Sequence, residues 1–145
     1  MEPIIDHIYI TVQDIDRAEQ FYDKFLPIVG FDIRLKGRYT VPDHEYEAIE
    51  YRHINLTLAI VNQRKEYISE KVSKRKAGAI NHLAFRTSSK KDVDIAYNAI
   101  KQLSCTITHE PQYYPDYSKD YYAFFFKDSE GIEYEIVNYD RTSCY

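Results

Sequence analysis

At 145 residues, with 44% hydrophobic and 29% charged side chains, the chain has ordinary globular composition and enough length for one domain or two small modules sharing a core. Its net charge, 19 − 23 = −4, supplies no field to draw it to nucleic acid or anionic membrane, and no apolar run approaches the roughly 20 residues of a bilayer span. The opening MEPIIDHIYI has neither the basic start nor the cleavage site of a signal peptide, and Cys105 and Cys144 form no disulfide or zinc pattern; a cytoplasmic protein with free thiols is expected.

The first predicted strand begins at His7, with His7, Tyr9 and Thr11 on one face and Ile8, Ile10 and Val12 on the other. Asp14 or Asp16 is a candidate helix N-cap, followed by an apolar stripe at Ala18, Phe21, Tyr22, Phe25 and Leu26. Three strand-like segments come next: FDIRLK (31–36), EYEAIEY (45–51) and INLTLAIV (54–61). The stretch 62–79 is polar and charged, includes KVSKRK, and reads as a solvated linker with a short surface helix.

From His82 the pattern returns. HLAFRTSS is strand-like, with His82, Ala84 and Arg86 on one face; Ser88 or Ser89 is a candidate cap, and Val93, Ala96, Tyr97 and Ile100 form a second helical stripe. The interval from His to the helical Tyr is the same in both halves, 22 − 7 = 15 and 97 − 82 = 15. Three more strands follow, CTITHE (105–110), YYAFFF (121–126) and IEYEIV (132–137), so the chain reads as a duplicated β-α-β-β-β unit. The expected fold is α+β, two βαβββ modules (1–62 and 80–145, joined by 63–79) forming a curved mixed sheet around a shared cleft.

Tyrosine is the compositional oddity, 15 residues with no Trp. The tyrosine-rich segment 113–126 reads equally as a lid over a pocket, a dimer contact or core filling. Each helix needs an aliphatic sheet face to cover, which leaves the His-bearing faces turned inward. On the last strand Glu133 and Glu135 share a face. Two His and a carboxylate facing one concave space suit Fe, Mn, Ni, Zn or Co.

The segments DHIYITVQDIDRAEQFYDKFLPIVGF, GAINHLAFRTSS and FFFKDSEGIEYEIV resemble the vicinal oxygen chelate superfamily, which includes glyoxalase I, extradiol dioxygenases, fosfomycin-resistance thiol transferases and bleomycin-binding proteins. The resemblance spans roughly Ile4 to Tyr139 and implies metal ligands at His7, His82 and Glu135, with Glu135 four residues after the turn Gly131. It implies a small divalent-metal-dependent enzyme of the glyoxalase/dioxygenase type, lactoylglutathione-lyase-like, on a small oxygen-chelating substrate and in a homodimer. The alternatives are a non-catalytic bleomycin-type binding protein and a fosfomycin-type thiol transferase. Overlaying INLTLAIV on IEYEIVNY sets Asn55 opposite Glu133 and Thr57 opposite Glu135, so this strand lacks the first-module acid of glyoxalase I, with Glu47 or Glu50 on the preceding strand the remaining candidates. Tyr9, Thr57, Arg86, Glu133 and Tyr122 are candidate pocket residues. His44, His53 and His109 are read as structural.

Overall fold

The computed structural model describes residues 4–144, and the side chain of Cys144 lies outside the described residues. The chain divides into two compact units, Met1–Lys71 and Val72–Tyr145, each an α+β module built on a four-stranded mixed sheet. Both units follow the β-α-β-β-β order. Among the described residues no helix is long and apolar enough to cross a membrane.

The first unit runs β1 (His7–Val12), α1 (Ile15–Ile28), β2 (Gly37–Val41), β3 (Tyr46–His53) and β4 (Leu56–Asn62). The sheet order is β1-β4-β3-β2, with β1 parallel to β4 and the other pairings antiparallel. Asp14 starts α1 by accepting a hydrogen bond from the Arg17 amide at 2.9 Å, which satisfies a donor the helix itself cannot. The stripe Ala18, Phe21, Tyr22, Phe25 and Leu26 is buried, and α1 packs on β4 over the aliphatic face carrying Ile10, Ile49, Leu58 and Ile60. Each large side chain so buried contributes about 1.5–3 kcal/mol. Past the helix, Gly30 takes φ +101°, a left-handed turn that favours glycine.

The expected strand 31–36 is a correction. Ile33–Leu35 is a single 3-10 turn, because the Asp32 carboxylate accepts from the Arg34 amide at 3.0 Å and caps it. The strand begins later, at Gly37. Lys36 and Arg38 tie this stretch to α1: Lys36 pairs with Glu19 and Asp23, both at 2.8 Å, and Arg38 with Asp16 at 2.8 Å and Glu19 at 2.6 Å.

The second unit runs β5 (Leu83–Arg86), α2 (Lys90–Ile100), β6 (Thr106–Tyr113), β7 (Tyr122–Lys127) and β8 (Glu133–Asn138), in the equivalent order β5-β8-β7-β6. Ser89 caps α2 through the Asp92 amide. Val93, Ala96 and Ile100 are buried, and α2 packs on β7 and β8, whose buried Phe124, Phe126, Tyr134 and Ile136 share one sheet face. The turn into β8 is fixed by the Asp128 carboxylate, which accepts from the amides of Glu130 and Ile132, both at 2.8 Å, while Gly131 adopts φ +88°. Between β4 and β5, where a short helix was expected, the regular structure is one 3-10 turn, Lys65–Tyr67.

Candidate functional site

The pairing register decides which side chains share a face. In the second unit Ala84 pairs with Glu135, and Glu135 with Phe125, which faces His109. Side chains alternate, so Glu133 and Glu135 lie on the sheet face opposite α2. Both are buried, at 5% and 2% exposure, which is costly for a carboxylate without partners. Their partners are distinct. Glu135 Oε1 accepts from the Tyr121 hydroxyl at 2.6 Å, and its Oε2 lies 3.4 Å from His82 Nε2. Glu133 is paired with the Lys74 ammonium. Burial pushes the Glu135 carboxyl above its ordinary value, against the lowering effect of the Tyr121 hydrogen bond and of His82.

His82 stands one residue before β5, and its other ring nitrogen, Nδ1, lies 2.9 Å from the Asn81 side-chain oxygen. Asn81 in turn points its amide nitrogen at the Lys74 carbonyl, 3.4 Å away. Lys74, Asn81, His82 and Glu133 line a pocket of about 230 Å³ with His109, Tyr114, Tyr117 and Phe125. The wall is aromatic: Tyr114 stacks on Tyr117 at 5.7 Å, and Phe125 meets His82, His109 and Tyr114 edge-on.

Two sequence expectations change here. His109 lines this pocket instead of serving only as a structural residue. The KVSKRK run is not wholly solvated, since Lys74 enters the pocket and neutralises Glu133. Tyr122 points to the helix side, where its hydroxyl donates to Asp94 at 2.8 Å and the Lys90 ammonium lies 4.1 Å over its ring. Its neighbour Tyr121 is the tyrosine that reaches Glu135. Arg86 is on the Glu135 face but solvent-exposed, two pairs along at Val137.

In the first unit, His7 Nδ1 lies 2.7 Å from Asp6 Oδ2. Its strand neighbour Tyr9 sets its ring edge-on to the imidazole at 5.3 Å and donates its hydroxyl to Glu50 at 2.5 Å. Glu50 also accepts from Tyr39 at 3.2 Å and Arg52 at 2.6 Å; the Tyr9 hydrogen bond is the chief reason its carboxyl lies below the ordinary value. Thr57 pairs with His7, whereas the level corresponding to Glu135 holds Ala59, paired with Tyr9. The overlay of Thr57 on Glu135 is therefore two residues out. The carboxylate of this row is Glu50, on β3, paired with Ala59.

Among the described residues no three His, Cys, Asp or Glu side chains are gathered closely enough to hold a metal ion. The His82–Glu135 pair nonetheless fits as two ligands of one. His82 Nε2 and Glu135 Oε2 face each other at 3.4 Å, and a cation between them is held by both when Nε2 carries no proton.

The family model of the Glyoxalase/Bleomycin resistance protein/Dioxygenase superfamily matches residues 4–136. The protein YqjT of Bacillus subtilis is 23% identical over 131 residues, covering 90% of this chain and 95% of its own. A glyoxylase/bleomycin resistance protein/dioxygenase domain from Frankia sp. EAN1pec superposes with a TM-score of 0.76 at 16% identity, over 97% of this chain and 99% of its own. The fosfomycin resistance protein FosX from Mesorhizobium loti superposes with a TM-score of 0.64 at 17% identity, over 98% and 96%. At such identities the solved structures establish the shared fold.

Proposed function

The chain belongs to the Glyoxalase/Bleomycin resistance protein/Dioxygenase superfamily, and from that premise we propose that it is a divalent-metal-dependent enzyme acting on a small molecule with neighbouring oxygens. The observation that carries this reading is the His82–Glu135 pair, an imidazole nitrogen and a buried carboxylate oxygen facing each other at 3.4 Å beside an aromatic pocket. Imidazole with carboxylate suits Fe, Mn, Ni, Zn or Co. His82 and Glu135 would hold the ion, and His7 is the further ligand that the family resemblance implies.

When bound, such an ion supplies Lewis acidity toward a substrate oxygen. The remaining roles fall to the chain. Tyr121 holds one oxygen of Glu135 and so leaves the other directed at His82. Tyr114, Tyr117 and Phe125 offer apolar faces to the body of the substrate and exclude water around it. The Lys74 ammonium offsets the Glu133 carboxylate in the pocket wall. The nearest acid to a first-unit proton acceptor is Glu50, but its two oxygens are already engaged by Tyr9, Tyr39 and Arg52, so no general base is assigned.

A second reading, sequestration of a small aromatic molecule without turnover, is favoured by the tyrosine wall alone. The test is elemental analysis of the purified protein beside His82→Ala and His7→Ala variants. Near-stoichiometric metal that is lost with His82 supports the enzyme reading, and loss with His7 assigns the further ligand. No metal in the parent protein, even after incubation with divalent ions, overturns it in favour of sequestration.

A further inference from the structure

In both units the residue immediately before the strand-leading histidine places a side-chain oxygen on its Nδ1: Asp6 on His7 at 2.7 Å and Asn81 on His82 at 2.9 Å. We infer that Asp6 and Asn81 are positioning residues that fix each imidazole as its Nδ1–H tautomer, leaving Nε2 as the bare, ligand-facing nitrogen.

The chemistry at Asp6 admits one polarity. An ionised carboxylate only accepts, so the hydrogen of that contact is on His7 Nδ1. At Asn81 the polarity follows from the other end of the amide. The nitrogen is directed at the Lys74 carbonyl, which cannot donate, so the oxygen is left for the ring. On the far side of His82, Glu135 Oε2 is a competing acceptor for the ring proton. It stands 0.5 Å further off (3.4 − 2.9), and it already receives the Tyr121 hydroxyl on its other oxygen. Glu135 is the stronger acceptor by charge and Asn81 the better placed by distance, and on that geometry we assign the single proton of the neutral ring to Nδ1.

The two halves differ in what they present. A charged acceptor fixes His7, and a neutral one fixes His82, where Glu133 and Glu135 already crowd two carboxylates onto one sheet face. A third carboxylate at position 81 would add to that load, and an amide does the orienting without it. The metal reading gives the arrangement its purpose, but the inference concerns the proton position in the metal-free protein.

Long-range proton–nitrogen NMR on protein labelled with nitrogen-15 histidine reads the tautomer directly, and comparison with His82→Ala assigns the His82 signals. Metal-free protein is examined in alkaline solution, where imidazoles are neutral. Wild type and Asn81→Asp, which keeps the acceptor, are expected to show the Nδ1–H pattern at His82. Asn81→Leu, of similar size without it, is expected to move to the Nε2–H pattern while its backbone amide spectrum stays that of the folded protein. A His82 signal of the Nε2–H form in wild type, or one unchanged in Asn81→Leu, overturns the inference. The same proteins titrated with zinc alone should show a 10- to 100-fold loss of affinity in Asn81→Leu and not in Asn81→Asp. If zinc binds to none of them while the tautomer shifts as stated, the metal reading fails and this one stands.

Discussion

Tyr121 and Glu135 are joined by a hydrogen bond of 2.6 Å from phenol to carboxylate, and the tyrosine ring is itself stacked at 4.8 Å on Tyr139. The phenol favours the ionised carboxyl, while burial favours the neutral one and is the larger effect. Folded Glu135 therefore holds its proton more tightly than the unfolded chain does. Stability of the metal-free protein should decline as pH rises from about 4.5 through the folded-state value. Tyr121→Phe removes the favourable donor, so the Glu135 midpoint, followed by carbon NMR, should move further up. An unmoved midpoint would mean the phenol does not govern this carboxylate.

Glu50 behaves in the opposite sense. Its carboxyl is held below the ordinary value by Tyr9 first and then by Arg52 and Tyr39, so its stabilising contribution is complete above pH 4.5 and is lost as pH falls through the lower folded value. Tyr9→Phe should cost about 1 kcal/mol at neutral pH. The difference from wild type should vanish in acid, which denaturant melts at neutral and low pH will check.

Lys74 is the partner of a carboxylate that is otherwise buried. Lys74→Met leaves the buried Glu133 carboxyl group without its cation and should cost about 1–3 kcal/mol. Glu133→Gln in the same background should recover most of that loss. A double-mutant cycle by urea denaturation measures the coupling, and additive losses would show that the pair is energetically idle.

Phe25 and Leu26 fill the space between α1 and its sheet with no exposed surface. Phe25→Ala should cost about 3–5 kcal/mol by lost transfer and the cavity left behind. A melt of that variant showing a loss under 1 kcal/mol would contradict the burial assigned to this face.

The duplicated architecture was legible because both halves carry a local signal: a histidine-led alternating strand, a polar cap and a 3.6-residue apolar stripe. Asp14 and Ser89 do cap the helices, and His82 and Glu135 do meet. What escaped depends on register or on distance along the chain. Tyr121 and Tyr122 are adjacent and chemically identical, and only the pairing of β7 with β8 tells which one faces Glu135. For the same reason the overlay of the two strands sets Thr57 at the level that the register gives to Ala59. Lys74 is 59 residues from Glu133, beyond any local pattern. The turn at Ile33–Leu35 was the exception. Asp32, two residues before Arg34, is a local capping signal that the apolar run 31–36 concealed.

Strand β7 keeps two kinds of residue on alternate positions: Tyr122, Phe124 and Phe126 toward the helix, and Ala123 and Phe125 toward the pocket side. Core packing and pocket lining are thereby written on interleaved tracks of a single segment. A deep mutational library across it should come out striped, with one set of positions sensitive in melting and the set between them sensitive in binding. A single-residue insertion in the preceding loop 114–121 that slid β7 by one place would transpose the stripes, turning core rings into the pocket and pocket residues into the core.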